Sequence, residues 1–226
     1  MIRAVVFDFN GLIVNDEHLH YLLFAEQLAT QGIKLTEELY NERYLGYDDR
    51  GCFSVALADF DRPRTHEIIH KLIADKAKRY LELARQELFF FPGVAESVKR
   101  LAERVPLAVC SGALRAEVLL GLEIAGISDY FQGVVAAEDT AECKPNPEGY
   151  LKAIELLQKK EPLLPASEMT AVEDSLAGIE AAKLAGMHVV AIPNSYPVAK
   201  LETVEPTAIV PDLPAFADWV LERVTR

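Results

Sequence analysis

The chain has 226 residues, half of them apolar, and its 35 acidic against 23 basic side chains give a formal charge of −12. That balance argues against nucleic acid and anionic membrane as partners, since both require a basic footprint. No apolar run reaches the roughly 18–20 residues that span a bilayer, and no basic segment followed by an apolar signal core opens the chain, so a soluble, cytoplasmic protein is expected, with one domain plus an insertion or two small domains.

The first segment, Arg3–Glu17, reads RAVVFDFNGLIVNDE. Ala4-Val5-Val6-Phe7 is a run of the kind that packs both faces of a buried strand. Asp8 stands where that strand leaves the sheet, and Gly11 allows a tight turn and a close approach of ligand to backbone. Next, His18–Gly32 carries Leu19, Leu22, Leu23, Ala25, Leu28 and Ala29 at three- and four-residue spacings, which predicts an amphipathic helix. Further helices are predicted over Thr36–Arg43, Arg50–Ala58 and Thr65–Gln86, the last with Ile68, Ile69, Leu72, Ile73, Tyr80, Leu81 and Ala84 on one face. No strand pattern occurs between Asn15 and Phe89, so residues 16–90 read as an all-helical insertion.

From Pro92 the texture changes to alternating helices and short apolar runs. The reading is helix Val94–Arg104, strand Pro106–Cys110, helix Leu114–Ala125, strand Gly133–Ala137, helix Pro147–Gln158, strand Met169–Val172, helix Leu176–Ala185, strand His188–Ile192, a short run Ala208–Val210 and helix Leu213–Val224. Strands alternating with helices imply crossovers and a mostly parallel sheet with helices on both faces. The expected fold is α/β, Rossmann-like, with core segments 1–15 and 91–226 and the inserted helical domain 16–90.

In such a sheet, ligands bind beyond the carboxyl ends of the strands. There the sequence places Asp8, then Ser111-Gly112, then a loop with Lys144-Pro145, then Glu173-Asp174-Ser175. Clustered acids suit Mg²⁺, a hard cation that takes carboxylate, water and phosphate oxygens, while a lysine and a hydroxyl beside backbone N–H groups suit a phosphoryl group. A carboxylate near a metal and a lysine can act as a nucleophile and form an acyl-phosphate. Taken singly, Ser111 is more often a turn or helix cap, Lys144 a solvated side chain, and Glu173-Asp174 a complement to the next helix dipole. All four together, at four strand ends, favour a site. With a surface charge of −12, such a site needs a local cation to hold an anionic substrate.

FDFNGLIVNDE (Phe7–Glu17), VCSGA (Val109–Ala113), CKPNPEGY (Cys143–Tyr150) and VEDSLAGIEAAKLAGM (Val172–Met187) together resemble the haloacid dehalogenase superfamily, in its helical-cap branch of phosphatases and sugar phosphomutases. The resemblance implies Asp8 as nucleophile and metal ligand, the Asn10 backbone carbonyl as a further ligand, and Ser111, with Asn10, Gly11, Gly112 and Lys144, against the phosphoryl oxygens. It implies Lys144 as the neutralising cation, Asp174 as metal ligand and Glu173 as a second ligand or an outer partner, with Mg²⁺ as cofactor and a small phosphorylated metabolite as substrate. The cap, at about Asp16–Phe90, would close over the core.

Asn10 departs from that pattern, because phosphate-transferring members carry Asp there as general acid and base, and an amide cannot titrate. The implied activity is therefore a Mg²⁺-dependent phosphatase working through an aspartyl-phosphate on Asp8 and slowed at Asn10. A sugar phosphomutase, or a metal and phosphate-ligand binding protein with little catalysis, stands as the alternative, and Asn10 is either natural or engineered. His18 and His20 read as surface or packing residues, with slight weight for His20 as a hinge or proton relay. Lys34, Lys71, Lys76 and Lys78 have no assignable role, Arg50 reads as solvated, and Cys110 and Cys143 read as small buried hydrophobes.

Overall fold

The computed structural model describes residues 1–224; the last two positions of the predicted core segment 91–226 lie outside the described residues. In chain order, the elements are β1 (Ala4–Phe7), α1 (Glu17–Ala29), α2 (Glu37–Arg43), α3 (Asp49–Asp59), α4 (His66–Ala84), α5 (Val94–Ala102), β2 (Leu107–Cys110) and α6 (Arg115–Ile124). They continue with β3 (Phe131–Val135), α7 (Glu148–Gln158), β4 (Met169–Glu173), α8 (Leu176–Leu184), β5 (His188–Ala191), α9 (Val198–Leu201), β6 (Ala208–Ile209) and α10 (Leu213–Leu221). The chain divides into two compact units, Met1–Asn15 with the chain from Phe89 onward, and Asp16–Leu88. Phe89 and Phe90, which fall inside the predicted insertion, group with the first unit: the Asn15 amide donates to the Phe89 carbonyl at 2.9 Å and Val14 pairs with Phe90.

The first unit holds a six-stranded sheet in the order β3-β2-β1-β4-β5-β6, with every neighbouring pair parallel. Every residue of β1 is fully buried, which is what an uninterrupted run of small, β-branched and aromatic side chains does when both faces of a sheet are covered. Phe7 lies edge-on to Phe131 and Phe216, with centroids 5.6 and 5.9 Å away, contacts worth about 0.5–1.5 kcal/mol each beyond burial. Phe7 is level with Val109 on one side and Val172 on the other. The strand order departs in both directions from β1, so the carboxyl ends of β2, β1 and β4 open side by side.

β3 occupies Phe131–Val135, two residues before the predicted Gly133–Ala137, and Ala137–Asp139 is a single 3₁₀ turn. Phe131 pairs with Leu107 and, as noted, packs on Phe7; Gly133 fits inside the strand because a Cβ there would collide with Leu156. The α9 turn has no counterpart among the predicted elements. The predicted final helix ends at Leu221 rather than Val224.

The second unit is α1 to α4, packed around Phe24, Leu28, Tyr40, Phe53, Leu57 and Leu72. Its helices begin where side chains accept backbone N–H groups: Thr36 from Leu39, Asp48 from Gly51 and Thr65 from Ile68, caps that stabilise by about 1 kcal/mol each. It also buries charge. Lys76 is wholly buried, its Nζ 2.7 Å from Asp49 Oδ1 and 2.9 Å from His20 Nδ1. His20 stacks on Tyr80, and the Tyr80 hydroxyl donates to Asp16 at 2.6 Å. Among the four lysines singled out in this segment, Lys34, Lys71 and Lys78 are exposed, as is Arg50.

Candidate active site

Asp8 follows β1 and is buried, its amide donating to the Val172 carbonyl at 3.0 Å. That bond continues the β1–β4 ladder by one residue and points the carboxylate out of the sheet's end. The chain then doubles back: the amides of Ile13 and Val14 donate to the Phe9 carbonyl, and Gly11, at φ +72°, donates to Val14. A Cβ on Gly11 would meet the Asp174 carboxylate and the Ser195 hydroxyl. Only glycine fits there without strain.

Lys144 reaches the same point from the loop before α7, where the Lys144–Pro145 peptide is cis. Its ammonium donates to Asp8 Oδ1 at 2.5 Å, Glu173 Oε1 at 2.6 Å and the Cys110 carbonyl at 3.1 Å, which uses all three of its N–H groups. The Tyr150 ring lies 5.1 Å from the same Nζ. After β2, Ser111 accepts from the Ala113 amide at 3.0 Å and donates to Asn10 Oδ1 at 3.3 Å; Gly112, half-buried, follows it in the bend.

At the end of β4, Glu173 and Asp174 are both buried. Glu173 Oε1 accepts from Lys144 and from the Tyr150 hydroxyl at 2.6 Å, and its Oε2 accepts from the Ser175 hydroxyl at 3.0 Å and the amides of Asp174 and Ser175. Both of its oxygens are engaged. Asp8, Glu173 and Asp174 each bring an oxygen within 4.8 Å of the others.

Three buried carboxylates against one ammonium leave an excess of two negative charges when all are ionised. The titration behaviour reflects it. Burial, then Glu173, pushes the Asp8 carboxyl up to about 7 against the pull of Lys144. Burial, Asp8 and Glu173 likewise hold Asp174 well above the carboxylate range. Burial works against the Lys144 charge, yet Asp8 and Glu173 together raise that lysine well above its ordinary value. A divalent cation bound to these oxygens would offset the excess, and an all-oxygen, carboxylate-rich donor set is the kind hard divalent cations take.

The structure thus brings Asp8, Asn10, Gly11, Ser111, Lys144, Glu173 and Asp174 together at one end of the sheet. Three contributors went unnoticed in the sequence: Tyr150, and the pair Asn194 and Ser195 beyond β5. Tyr150 sits on the buried face of α7 and reads as core. Asn194 and Ser195 lie just past a predicted strand, and extending the strand-end rule to the fifth strand would have pointed to them. His20 lies in the second unit, bonded to Lys76. Cys143 is exposed, contrary to the expectation of a buried small hydrophobe, because it sits in the surface loop before α7; Cys110 is buried, and that burial raises its thiol to about 12.

A family model for haloacid dehalogenase-like hydrolases matches residues 2–186. The chain belongs to that family and is a hydrolase of the phosphatase kind. It is 28% identical over 187 residues to the phosphorylated carbohydrates phosphatase of Thermotoga maritima, covering 82% of each chain. It is 29% identical over 202 residues to protein CbbY of Rhodobacter capsulatus, covering 86% of this chain and 87% of that one. The fold matches the crystal structure of the β-phosphoglucomutase of Clostridium difficile with a TM-score of 0.84, at 20% identity, over 99% of this chain and 97% of that one. Among the described residues, no helix is long and apolar enough to cross a membrane.

Proposed function

We propose that the protein is a Mg²⁺-dependent phosphatase of small phosphomonoesters, sugar phosphates first among them, acting through an aspartyl-phosphate on Asp8. The observation that carries this reading is the bonding of one half-buried lysine to both Asp8 and Glu173, with Asp174 beside them. Its likeness to a phosphatase of phosphorylated carbohydrates supports the substrate class.

In this reading Asp8, Asp174 and the backbone carbonyl of Asn10 hold the cation. When bound, Mg²⁺ supplies charge neutralisation for the phosphoryl oxygens. Glu173, with both oxygens engaged, fixes Lys144 and the start of α8. Lys144 opposes the burial that raises the Asp8 carboxyl and lies against the incoming phosphoryl group; the Gly11 amide is engaged by the Val14 carbonyl, which leaves Ser111 and the Gly112 amide to receive the other oxygens. An Asp8 oxygen attacks phosphorus, the ester P–O bond breaks, and the leaving oxygen takes up a proton from solvent, since Asn10 has none to transfer. Water then attacks the acyl-phosphate, releasing inorganic phosphate and restoring the carboxylate.

Asn10 favours a second reading, slow turnover or ligand binding alone. Its side-chain carbonyl oxygen accepts from the Ser111 hydroxyl, and the amide does not titrate, so it cannot transfer a proton to the leaving group. A screen of alkyl and aryl phosphates with and without Mg²⁺ separates the two: Mg²⁺-dependent phosphate release, lost in Asp8→Ala, supports the enzyme, and tight binding of esters without turnover of either class supports the binding protein.

A further inference from the structure

The loop after β5 brings two polar side chains to the site. Asn194 donates from Nδ2 to the Gly11 carbonyl at 2.8 Å. The half-buried Ser195 donates its hydroxyl to Asp174 Oδ2. Gly11 lies against the same two groups, since a side chain on it would strike both the Asp174 carboxylate and Ser195 Oγ. One loop therefore pins the turn that follows the nucleophile strand and one oxygen of an acid that is only 3% exposed.

A carboxylate held at one oxygen by a hydroxyl is a different ligand from a free one. Mg²⁺ demands near-octahedral geometry at about 2.0–2.1 Å and takes one oxygen from each carboxylate, whereas Ca²⁺ accepts 6–8 ligands at about 2.3–2.6 Å and is well served by both oxygens of one acid. We propose that Ser195 is a positioning residue for the cation: by engaging Asp174 Oδ2 it leaves that carboxylate a single oxygen to give, and so makes the site prefer Mg²⁺ over Ca²⁺. Asn194 supports this by fixing the peptide next to the Asn10 carbonyl. The inference rests on the reading of Asp174 as a cation ligand, and it adds residues from a fifth strand end to the site.

The test is calorimetric titration of the metal-stripped full chain with MgCl₂ and, separately, CaCl₂, for the wild type, Ser195→Ala, Ser195→Thr and Asp174→Asn. Loss of a partner that orients a metal ligand costs about 10–100-fold in affinity. Ser195→Ala should therefore weaken Mg²⁺ by at least about tenfold while changing Ca²⁺ by less than about threefold, and Ser195→Thr, which keeps the hydroxyl, should bind both as the wild type does. An unchanged Mg²⁺ affinity in Ser195→Ala, an equal loss for both cations, or the same loss in Ser195→Thr overturns the proposal. Asp174→Asn distinguishes the level of failure. If it loses Mg²⁺ while Ser195→Ala does not, only the role of Ser195 falls; if it binds Mg²⁺ as the wild type does, the cation site itself is misassigned and the role of Ser195 falls with it.

Discussion

Replacing Asp8 by Asn should make the metal-free protein more stable at the same time as it abolishes turnover. Asp8 is 7% exposed, and its carboxyl rises from 3.8 to about 7 through burial and the neighbouring Glu173. The folded state then holds a proton that the unfolded chain releases near pH 4, so stability falls as pH rises from about 4 to about 7, and above that the full cost is present. At about 1.36 kcal/mol for each pH unit, that cost is about 4 kcal/mol; relaxation of the site and entry of water lower it, and a net gain of about 2 kcal/mol is expected. The amide has the shape of the protonated acid, and Lys144 keeps Glu173 at 2.6 Å and the Cys110 carbonyl at 3.1 Å. Urea unfolding in EDTA, followed by the fluorescence of the single tryptophan, Trp219 in α10, reports on the unit that contains the site. Asp8→Asn should exceed the wild type at pH 8, match it near pH 4, and fall behind it when Mg²⁺ is added at pH 8, because only the wild type gains binding free energy from the cation. A variant less stable than the wild type at pH 8 in EDTA would refute the electrostatic account of the site.

Asn10→Asp should raise the turnover of alkyl phosphates by about 10²–10⁴-fold, the usual worth of general acid–base assistance, and raise acyl-phosphate formation from an activated aryl phosphate much less, since that leaving group needs little protonation. Burst and steady-state phases on both substrates measure it, and equal alkyl-phosphate rates in the two forms would place the proton transfer on another group. Gly11→Ala should cost about 2–4 kcal/mol in urea unfolding and most of the Mg²⁺ affinity, because a left-handed φ of +72° is forced on an L-residue and its Cβ points into Asp174. Tyr150→Phe removes one of two donors from Glu173 Oε1. A loss of about 1 kcal/mol in unfolding free energy is expected, because Lys144 still satisfies that oxygen.

Most of the sheet was legible because strands buried on both faces show as apolar runs in the chain. β3 was displaced by two residues for a physical reason. It is an edge strand whose Gln132 faces solvent and whose Gly133 is small to admit Leu156, so its pattern is weak where pairing begins and stronger beyond its end. The cluster of Asp8, Ser111, Lys144, Glu173 and Asp174 was readable because each closes a strand, directly follows one or stands on a motif loop. Ser195 and Asn194 stand just past β5, where the same rule applies, but Pro193-Asn194-Ser195 has the composition of an ordinary turn and its contacts with Gly11 and Asp174 are tertiary facts. The engagement of both Glu173 oxygens depends on Tyr150, which periodicity alone assigns to the core. Lys76 was within reach: with Leu72, Tyr80 and Ala84 it makes a four-residue repeat on the buried face of α4, and a lysine in that row must find partners inside.

The pairing of β1 also sets an order of events at the ribosome. Phe7 waits for Val109 and then for Val172 before it has a neighbour on each side, and at about 5–20 residues per second the first of these waits alone lasts about 5–20 s. During that interval an apolar tetrapeptide is held without its sheet, while the four helices of Asp16–Leu88 already have the residues of their own core. Asp174 and Ser195 emerge later still. The residues of the site are thus complete only after those of the helical unit and of half the sheet have been made, so a nascent chain stalled before Val172 lacks β1's second neighbour and both acids that follow it.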